Sequence, residues 1–155
     1  MIVAGENVAQ FVSQRIGIAL CPPYTTMGLM RDGLLLGGAV FNQFEGHDVH
    51  VTLAGSGWTR GFIRSVGEYV FGQLGCLRMT ATTEQHEVVD YALRLGGKVE
   101  GRLRDHFGEG RDGIVIGILR REWKFGSFSP NCSAAEPHFT RFPTKEAFRE
   151  VSQAA

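Results

Sequence analysis

The segment from Asp48 to Thr82 constrains the fold more than any other. Asp48 to Leu53 alternates, with Val49, Val51 and Leu53 on one side and Asp48, His50 and Thr52 on the other, which is the period of a strand with one apolar face. Gly55-Ser56-Gly57 breaks that period. From Thr59 to Leu74 the apolar residues Phe62, Val66, Tyr69, Val70 and Leu74 recur at helical spacing, and Gly75 supplies a left-handed stop. Cys76 to Thr82 then alternates again through Leu77, Met79 and Ala81. A strand, a helix and a second strand in that order form a crossover unit, and strands before and after it make the sheet mixed.

The flanking segments fit the same plan. Val8, Val12 and Ile16, with Phe11 beside them, predict a helix over roughly Glu6 to Arg15. Met27 to Met30 and Leu34 to Phe44, joined by Arg31-Asp32-Gly33, read as a β-hairpin. Val88, Tyr91, Ala92 and Leu95 mark a further helix that Gly96-Gly97 stops, and Lys98 to Phe107 and Gly113 to Trp123 read as a second hairpin around Gly108 to Gly113. The 21 glycines are scattered at turn positions such as Asp32-Gly33, Gly37-Gly38, Glu45-Gly46 and Gly110, which punctuates a compact fold rather than a linker.

At 155 residues the chain holds one ordinary core, expected over residues 1–125. After Phe125, Ser, Pro, Asn and Gly dominate to Pro143, and residues 126–155 read as a C-terminal extension with a short helix. Phe139, Phe142, Phe148 and Val151 give that extension an apolar side that packs on the domain or on a second copy, as in a homodimer. With 16 Lys+Arg against 16 Asp+Glu the formal net charge is zero, so no overall field draws the chain to nucleic acid or an anionic membrane. Apolar runs such as Leu34-Leu35-Leu36 fall far short of the roughly 18 residues of a membrane span, and Met1 to Leu20 lacks the pattern of an export signal. Three cysteines, Cys21, Cys76 and Cys132, cannot all pair, and none lies in a C-x-x-C, which fits a reducing cytoplasm and no structural zinc.

The chemistry concentrates at the junction between the strand ending at Leu53 and the helix beginning near Thr59. The first N–H groups of a helix have no internal partner and carry the positive end of its dipole, so a glycine loop leading into Thr59, Arg60, Gly61 and Phe62 suits a phosphate or pyrophosphate. Arg60 and Arg64 add positive charge there. A glycine turn before an amphipathic helix, with both arginines merely solvated, explains the same residues. A dinucleotide fingerprint does not, because Arg60 stands where its third glycine is needed, and no Walker sequence is present.

From about Met27 to Phe125 the chain resembles the GNAT superfamily of N-acetyltransferases, most closely its ribosomal-protein-acetylating branch and small bacteriophage relatives. The resemblance rests on the order and spacing of Trp58-Thr59-Arg60-Gly61-Phe62-Ile63-Arg64, Tyr69-Val70-Phe71-Gly72-Gln73-Leu74-Gly75, Leu77-Arg78-Met79-Thr80-Ala81-Thr82, Leu93 to Gly101, and Ile118-Leu119-Arg120-Arg121-Glu122-Trp123. It implies a mixed, mostly antiparallel α/β sheet of about six or seven strands with helices on both faces. It also implies transfer of an acetyl group from acetyl-CoA to a primary amine, with no metal. The cofactor would lie against the backbone of Val51, Thr52 and Leu53 and against Thr59, Arg60, Gly61, Phe62, Ile63 and Arg64. Of the family's pyrophosphate loop, Arg/Gln-x-x-Gly-x-Gly/Ala, only Gly61 matches over Trp58 to Ile63. Gln85 stands where the family often has Asn, and Ala92 where many members have a Tyr acid, with Tyr91 one residue and about 100° of helix rotation away.

An amine is protonated near neutral pH, so the reaction needs a proton acceptor, stabilisation of an oxyanion and a departing thiolate. His50, on the polar side of its strand, His47 just before it, and Glu84 at the end of the next strand are the candidate bases. His47 and His50 point to opposite faces of a regular strand, so they do not form a metal pair. Cys76, at the start of an apolar strand, reads as a small buried hydrophobe rather than a nucleophile. Arg94, Lys98, Arg102 and Arg104 are interleaved with Glu100, Asp105 and Glu109 as a mixed solvated face. A domain that binds CoA or an acyl-CoA without catalysis, as a sensor or interaction module, is the rival reading.

Overall fold

The computed structural model describes residues 1–126. The C-terminal extension, its short helix and a homodimer contact through it therefore lie outside the described residues, apart from Gly126.

In chain order the elements are β1 (Ile2–Val3), α1 (Glu6–Ile16), β2 (Tyr24–Arg31), β3 (Leu34–Asn42), β4 (Asp48–Gly55), α2 (Arg60–Gly67), a wide helical turn (Glu68–Gln73), β5 (Arg78–Thr83), α3 (His86–Leu95), β6 (Lys98–Leu103) and β7 (Gly113–Leu119). The strands form one seven-stranded sheet in the order β1-β2-β3-β4-β5-β7-β6. Every neighbouring pair is antiparallel except β4 and β5, which the α2 crossover makes parallel. The mixed, mostly antiparallel sheet expected from the sequence is present, with helices on both faces.

One face carries the main core. Met27, Ala39, Phe41, Val49, Val51, Met79, Ile116 and Ile118 project from the strands onto Phe62, Ile63, Val66, Val70 and Phe71 of the crossover and Val89, Ala92 and Leu95 of α3. On the other face α1 covers β2, β3 and β4, with Val12 against Val40. Gly28 and Gly38 are paired across β2 and β3 beneath α1. A Cβ on either would come within 2.8 Å of Val8, so their bare backbone sets how closely α1 docks. Each of the fully buried Val8 and Val12 stabilises that docking by about 1.5–3 kcal/mol. Gly37 and Gly38 are thus inside a strand, not at the turn expected from the sequence. Gly37 leaves room for Trp58, whose ring carbon would lie 2.6 Å from a Cβ there.

Several boundaries differ from expectation for local reasons. The helix read as Thr59 to Leu74 is regular only to Gly67. Beyond it the chain widens, and the Leu74 N–H donates to the Tyr69 carbonyl five residues back. β5 begins at Arg78 rather than Cys76, because the Leu77 and Arg78 N–H groups both turn to the His47 carbonyl. Leu77 is consequently exposed, whereas Cys76 is buried. β6 ends at Leu103, short of Phe107, and β7 at Leu119, followed by a short 3-10 turn. β1 was not foreseen, being only two residues long.

Trp123 joins the end of the described chain to the crossover. Its ring meets Phe71 edge-on at 5.7 Å and lies against Gly67, where a Cβ would be 2.5 Å from Nε1. Gly67→Ala is expected to destabilise the fold by about 1–3 kcal/mol through overpacking. Gly72→Ala, with nothing within 4 Å of the added carbon, should instead be neutral or raise stability by up to about 0.5–1 kcal/mol. Urea unfolding of the two variants checks the opposite signs.

Candidate active site

The central parallel pair is hydrogen-bonded over a short distance only. β4 and β5 are in register at Asp48↔Arg78, Val49↔Met79 and His50↔Thr80, and past that point they part. β4 runs on to Gly55 while still paired to β3, through Gly37↔Gly55. β5 runs on to Thr83 while still paired to β7, through Thr83↔Ile114. Val51, Thr52 and Leu53 thus face Ala81 and Thr82 across a wedge with no ladder between them. Backbone polar groups left open in this way take water or a ligand. The wedge opens at the carboxyl ends of two parallel strands, where ligands of α/β sheets bind.

α2 begins at the mouth of that wedge. Thr59 is its extended cap, and its Oγ1 accepts from the Phe62 N–H at 3.1 Å. The Ile63 N–H donates to the Thr59 carbonyl at 3.0 Å. Among the described residues the N–H groups of Arg60 and Gly61 have no such partner, so these two amides are what the helix presents outward. Phe62 and Ile63 serve as buried anchors that fix the angle of the helix. Trp58 pins the loop, with its ring on Gly37 and 5.1 Å from that of Phe62. The side chains of Arg60 and Arg64 are exposed at the same end.

The floor of the wedge on the face opposite α2 is polar. His50, the last residue of β4 paired to β5, alternates with the buried Val49 and Val51 and so shares this face with Asp48, Thr80 and Thr82. Its Nε2 lies 3.5 Å from Thr82 Oγ1. Burial lowers the His50 pKa from its ordinary 6.5, Asp48 pulls it up and His106 pushes it down, so the site favours the neutral imidazole. Behind it, Thr80 Oγ1 donates to Asp48 Oδ2 at 2.7 Å, Arg78 Nε lies 3.2 Å from the same oxygen, and Arg78 Nη2 reaches Glu100 Oε2 at 2.5 Å. This lattice ties β4, β5 and β6 together beside the histidine.

Solved structures share this architecture. The spermidine N-acetyltransferase of Vibrio cholerae in complex with CoA and spermine superposes with a TM-score of 0.63 at 13% identity, over 79% of this chain and 96% of that one. The manganese complex of the spermidine/spermine N-acetyltransferase SpeG from the same organism gives 0.62 at 14%, over 77% and 91%. A probable acetyltransferase gives 0.56 at 21%, over 64% and 63%. No family model and no curated protein matches the sequence. The fold is that of the GNAT acetyltransferases.

Set in the GNAT fold, the remaining candidates separate. His47 is exposed at the opposite end of β4 from the wedge, and its carbonyl holds the start of β5. Glu84 stands at the wedge end of β5, clasped by Arg111, which keeps its carboxyl below the usual range. Gln85 caps α3 and is exposed, its N–H donating to Thr83 Oγ1 at 3.1 Å. Ala92 is buried in the core, while Tyr91 is half-buried with the Arg94 guanidinium 5.7 Å from its ring. Among the described residues no three His, Cys, Asp or Glu side chains converge as a metal ligand set would, and no helix is long and apolar enough to cross a membrane. Sequence reasoning passed over Thr82 and His106, which nothing in their local spacing marks.

His50 provides a direct test of this electrostatic arrangement. Its midpoint, read by NMR titration of the imidazole carbons, is expected below 6.5, and Asp48→Asn should lower it further by removing the carboxylate that favours the charged form. The unfolded chain then binds this proton more readily than the folded one, so acidification through pH 6.5 should favour unfolding.

Proposed function

We propose that the protein transfers an acetyl group from acetyl-CoA to a primary amine by direct attack. The observation that supports this best is the wedge between β4 and β5, with the Arg60 and Gly61 amides, unpartnered among the described residues, at its mouth and at its apex a histidine whose burial favours the neutral form. The two amides and the Arg60 and Arg64 side chains hold the pyrophosphate of CoA. The open edge of Val51, Thr52 and Leu53 receives the pantetheine arm, which sets the thioester beside His50. His50 takes a proton from the acceptor ammonium, the amine attacks the carbonyl carbon, and the CoA thiolate departs. Positioning both reactants supplies much of the acceleration. A covalent intermediate on Cys76 is not part of the scheme, since that thiol is buried in the core.

The acceptor is a protein N-terminus, a lysine or a small amine. The solved Vibrio protein is named for spermidine. Here Asp48 and Glu100 share Arg78 and Glu84 is engaged by Arg111, which favours an acceptor with one cationic amine over a polyamine. The resemblance of Trp58 to Arg64 and Leu93 to Gly101 to the ribosomal-protein-acetylating and bacteriophage branch points the same way, toward a bacterial or phage protein acting in the cytoplasm. A homodimer through residues 126–155 belongs to this proposal. CoA binding without catalysis, as in a sensor, is favoured by Ala92 in place of a Tyr acid and by a pyrophosphate loop of which only Gly61 matches the family pattern.

Release of CoA thiol from acetyl-CoA over a panel of peptide, lysine and small amines tests the transferase. Thermal stabilisation by CoA without turnover on any amine would indicate the sensor instead. Arg60→Pro probes the cradle, because Arg60 is the first helical residue and Thr59 is already extended at φ −95° and ψ 155°, as the residue before a proline must be. That variant should keep its melting temperature and, relative to Arg60→Ala, weaken CoA by a further factor of roughly ten, the loss expected for one charge-assisted hydrogen bond of about 1.4 kcal/mol or more. Arg60→Ala separates the side chain from the amide.

A further inference from the structure

Gly113 opens β7 on the polar face beside Thr82. A Cβ there would lie 2.7 Å from Thr82 Cγ2 and 3.1 Å from both Cβ and Cδ2 of His106, so the bare backbone is what lets the His106 side chain settle next to Thr82. Thr82 Oγ1 is in turn 3.5 Å from His50 Nε2. His50, Thr82 and His106 thus form a short row from the apex of the wedge to the loop between β6 and β7. His50 is half-buried and His106 exposed, so the row leads from the site to water.

The loop that carries His106 is tied down. Arg111 donates from Nε to Glu84 Oε2 at 2.9 Å and from Nη2 to Oε1, which fastens the loop to the end of β5. Asp112 accepts from Arg102 Nε at 2.6 Å and from the Asp105 N–H at 2.9 Å, and Asp105 Oδ1 accepts from the Gly110 N–H at 2.7 Å. The Phe107 ring stands edge-on to His106 at 4.6 Å. With these restraints, the position of the imidazole is a property of the fold.

On the reading that the domain is an amine acetyltransferase, we propose that His106 is a positioning and relay residue, receiving from His50 the proton taken from the acceptor and passing it to solvent. The overall change converts R–NH3+ and acetyl-CoA to the N-acetyl amine, CoA thiol and one proton. The ammonium gives its first proton to His50 Nε2. The N–C bond then forms, the C–S bond breaks, and a second nitrogen proton goes to the departing sulfur. The first proton must leave His50 before the next turnover, and it moves to His106 through Thr82 Oγ1 or one water. The charged groups on the elements around the two rings are Asp48 on β4, Arg78 on β5, Glu100 and the Glu122-paired Lys98 on β6, the Glu84–Arg111 clasp, and Arg104, Asp105, Glu109 and the Asp112–Arg102 pair by the loop. The two rings are close enough that protonation of one disfavours protonation of the other, so a single proton is shared between them rather than one held on each.

The test uses the full chain with acetyl-CoA and an amine that supports turnover. His106→Gln is expected to lower kcat about tenfold at pH 7, less than the roughly 10²–10⁴-fold of a group that takes the reacting proton itself, with KM for acetyl-CoA unchanged and the acid limb of the kcat–pH profile shifted. Added imidazole should restore His106→Ala. Gly113→Ala, which displaces the ring without removing it, should reproduce the loss. Independently of turnover, the NMR midpoint of His50 should rise in His106→Gln. A kcat–pH profile identical to that of the unmodified protein, or a His50 midpoint that does not move, overturns the relay and leaves the transferase standing. No turnover by the unmodified protein on any amine removes both.

Discussion

The structure depends on a conflict of hydrogen bonding at the centre of the sheet. β4 is bound to β3 from His50 to Gly55 and β5 to β7 along its whole length, yet the two bind each other at three registers only. Each outer partner holds its strand on course, so the inner edges separate past His50 and Thr80. A sheet that closed this gap would have a continuous ladder and no site. Among the described residues, the parted edges leave backbone groups without a ladder partner in strands that are each paired on their outer side, which is where a reaction that relies on positioning needs them.

The two faces of the sheet support the wedge in different ways. On one face, α2, the widened turn and α3 fill the core, and the aromatic contacts of Trp58, Phe62, Phe71 and Trp123 fix the helix whose amides meet the cofactor in the proposed mechanism. On the other, α1 covers β2, β3 and part of β4, and the polar row of Asp48, His50, Thr80 and Thr82 continues toward β6. In the proposed mechanism a cofactor end and an acceptor end thus fall on distinct surfaces joined through the gap. The arginine-bound carboxylates around His50 hold the polar surface in shape while leaving the imidazole neutral.

Much of this was legible in the sequence. The periods of Asp48 to Leu53, Phe62 to Leu74 and Val88 to Leu95 gave the elements because alternation and helical recurrence are local properties of a chain with one buried side. The resemblance added the acetyltransferase fold and the loop at Gly61. Less legible was the role of the glycines at 37 and 38, which look like a turn and instead allow Trp58 and α1 to approach opposite faces of β3. Leu77 was misplaced because alternation assumes a strand that has already begun, and two amides sharing the His47 carbonyl delay it. His50, His47, Glu84 and Gln85 looked alike as polar residues near strand ends, and only their distance from the wedge separates them.

What the sequence determined by itself was the succession of strands and helices, the apolar side of each, and the helix start at Thr59 and Arg60, since all of these follow from neighbours within a few residues. Tertiary structure alone decided that β4 and β5 part after His50, that the Arg60 and Gly61 amides, unpartnered among the described residues, stand at the mouth of that gap, and that His106 lies beside Thr82. Those outcomes depend on strands far apart in sequence competing for the same space and for their course within one sheet. No local period records such a competition.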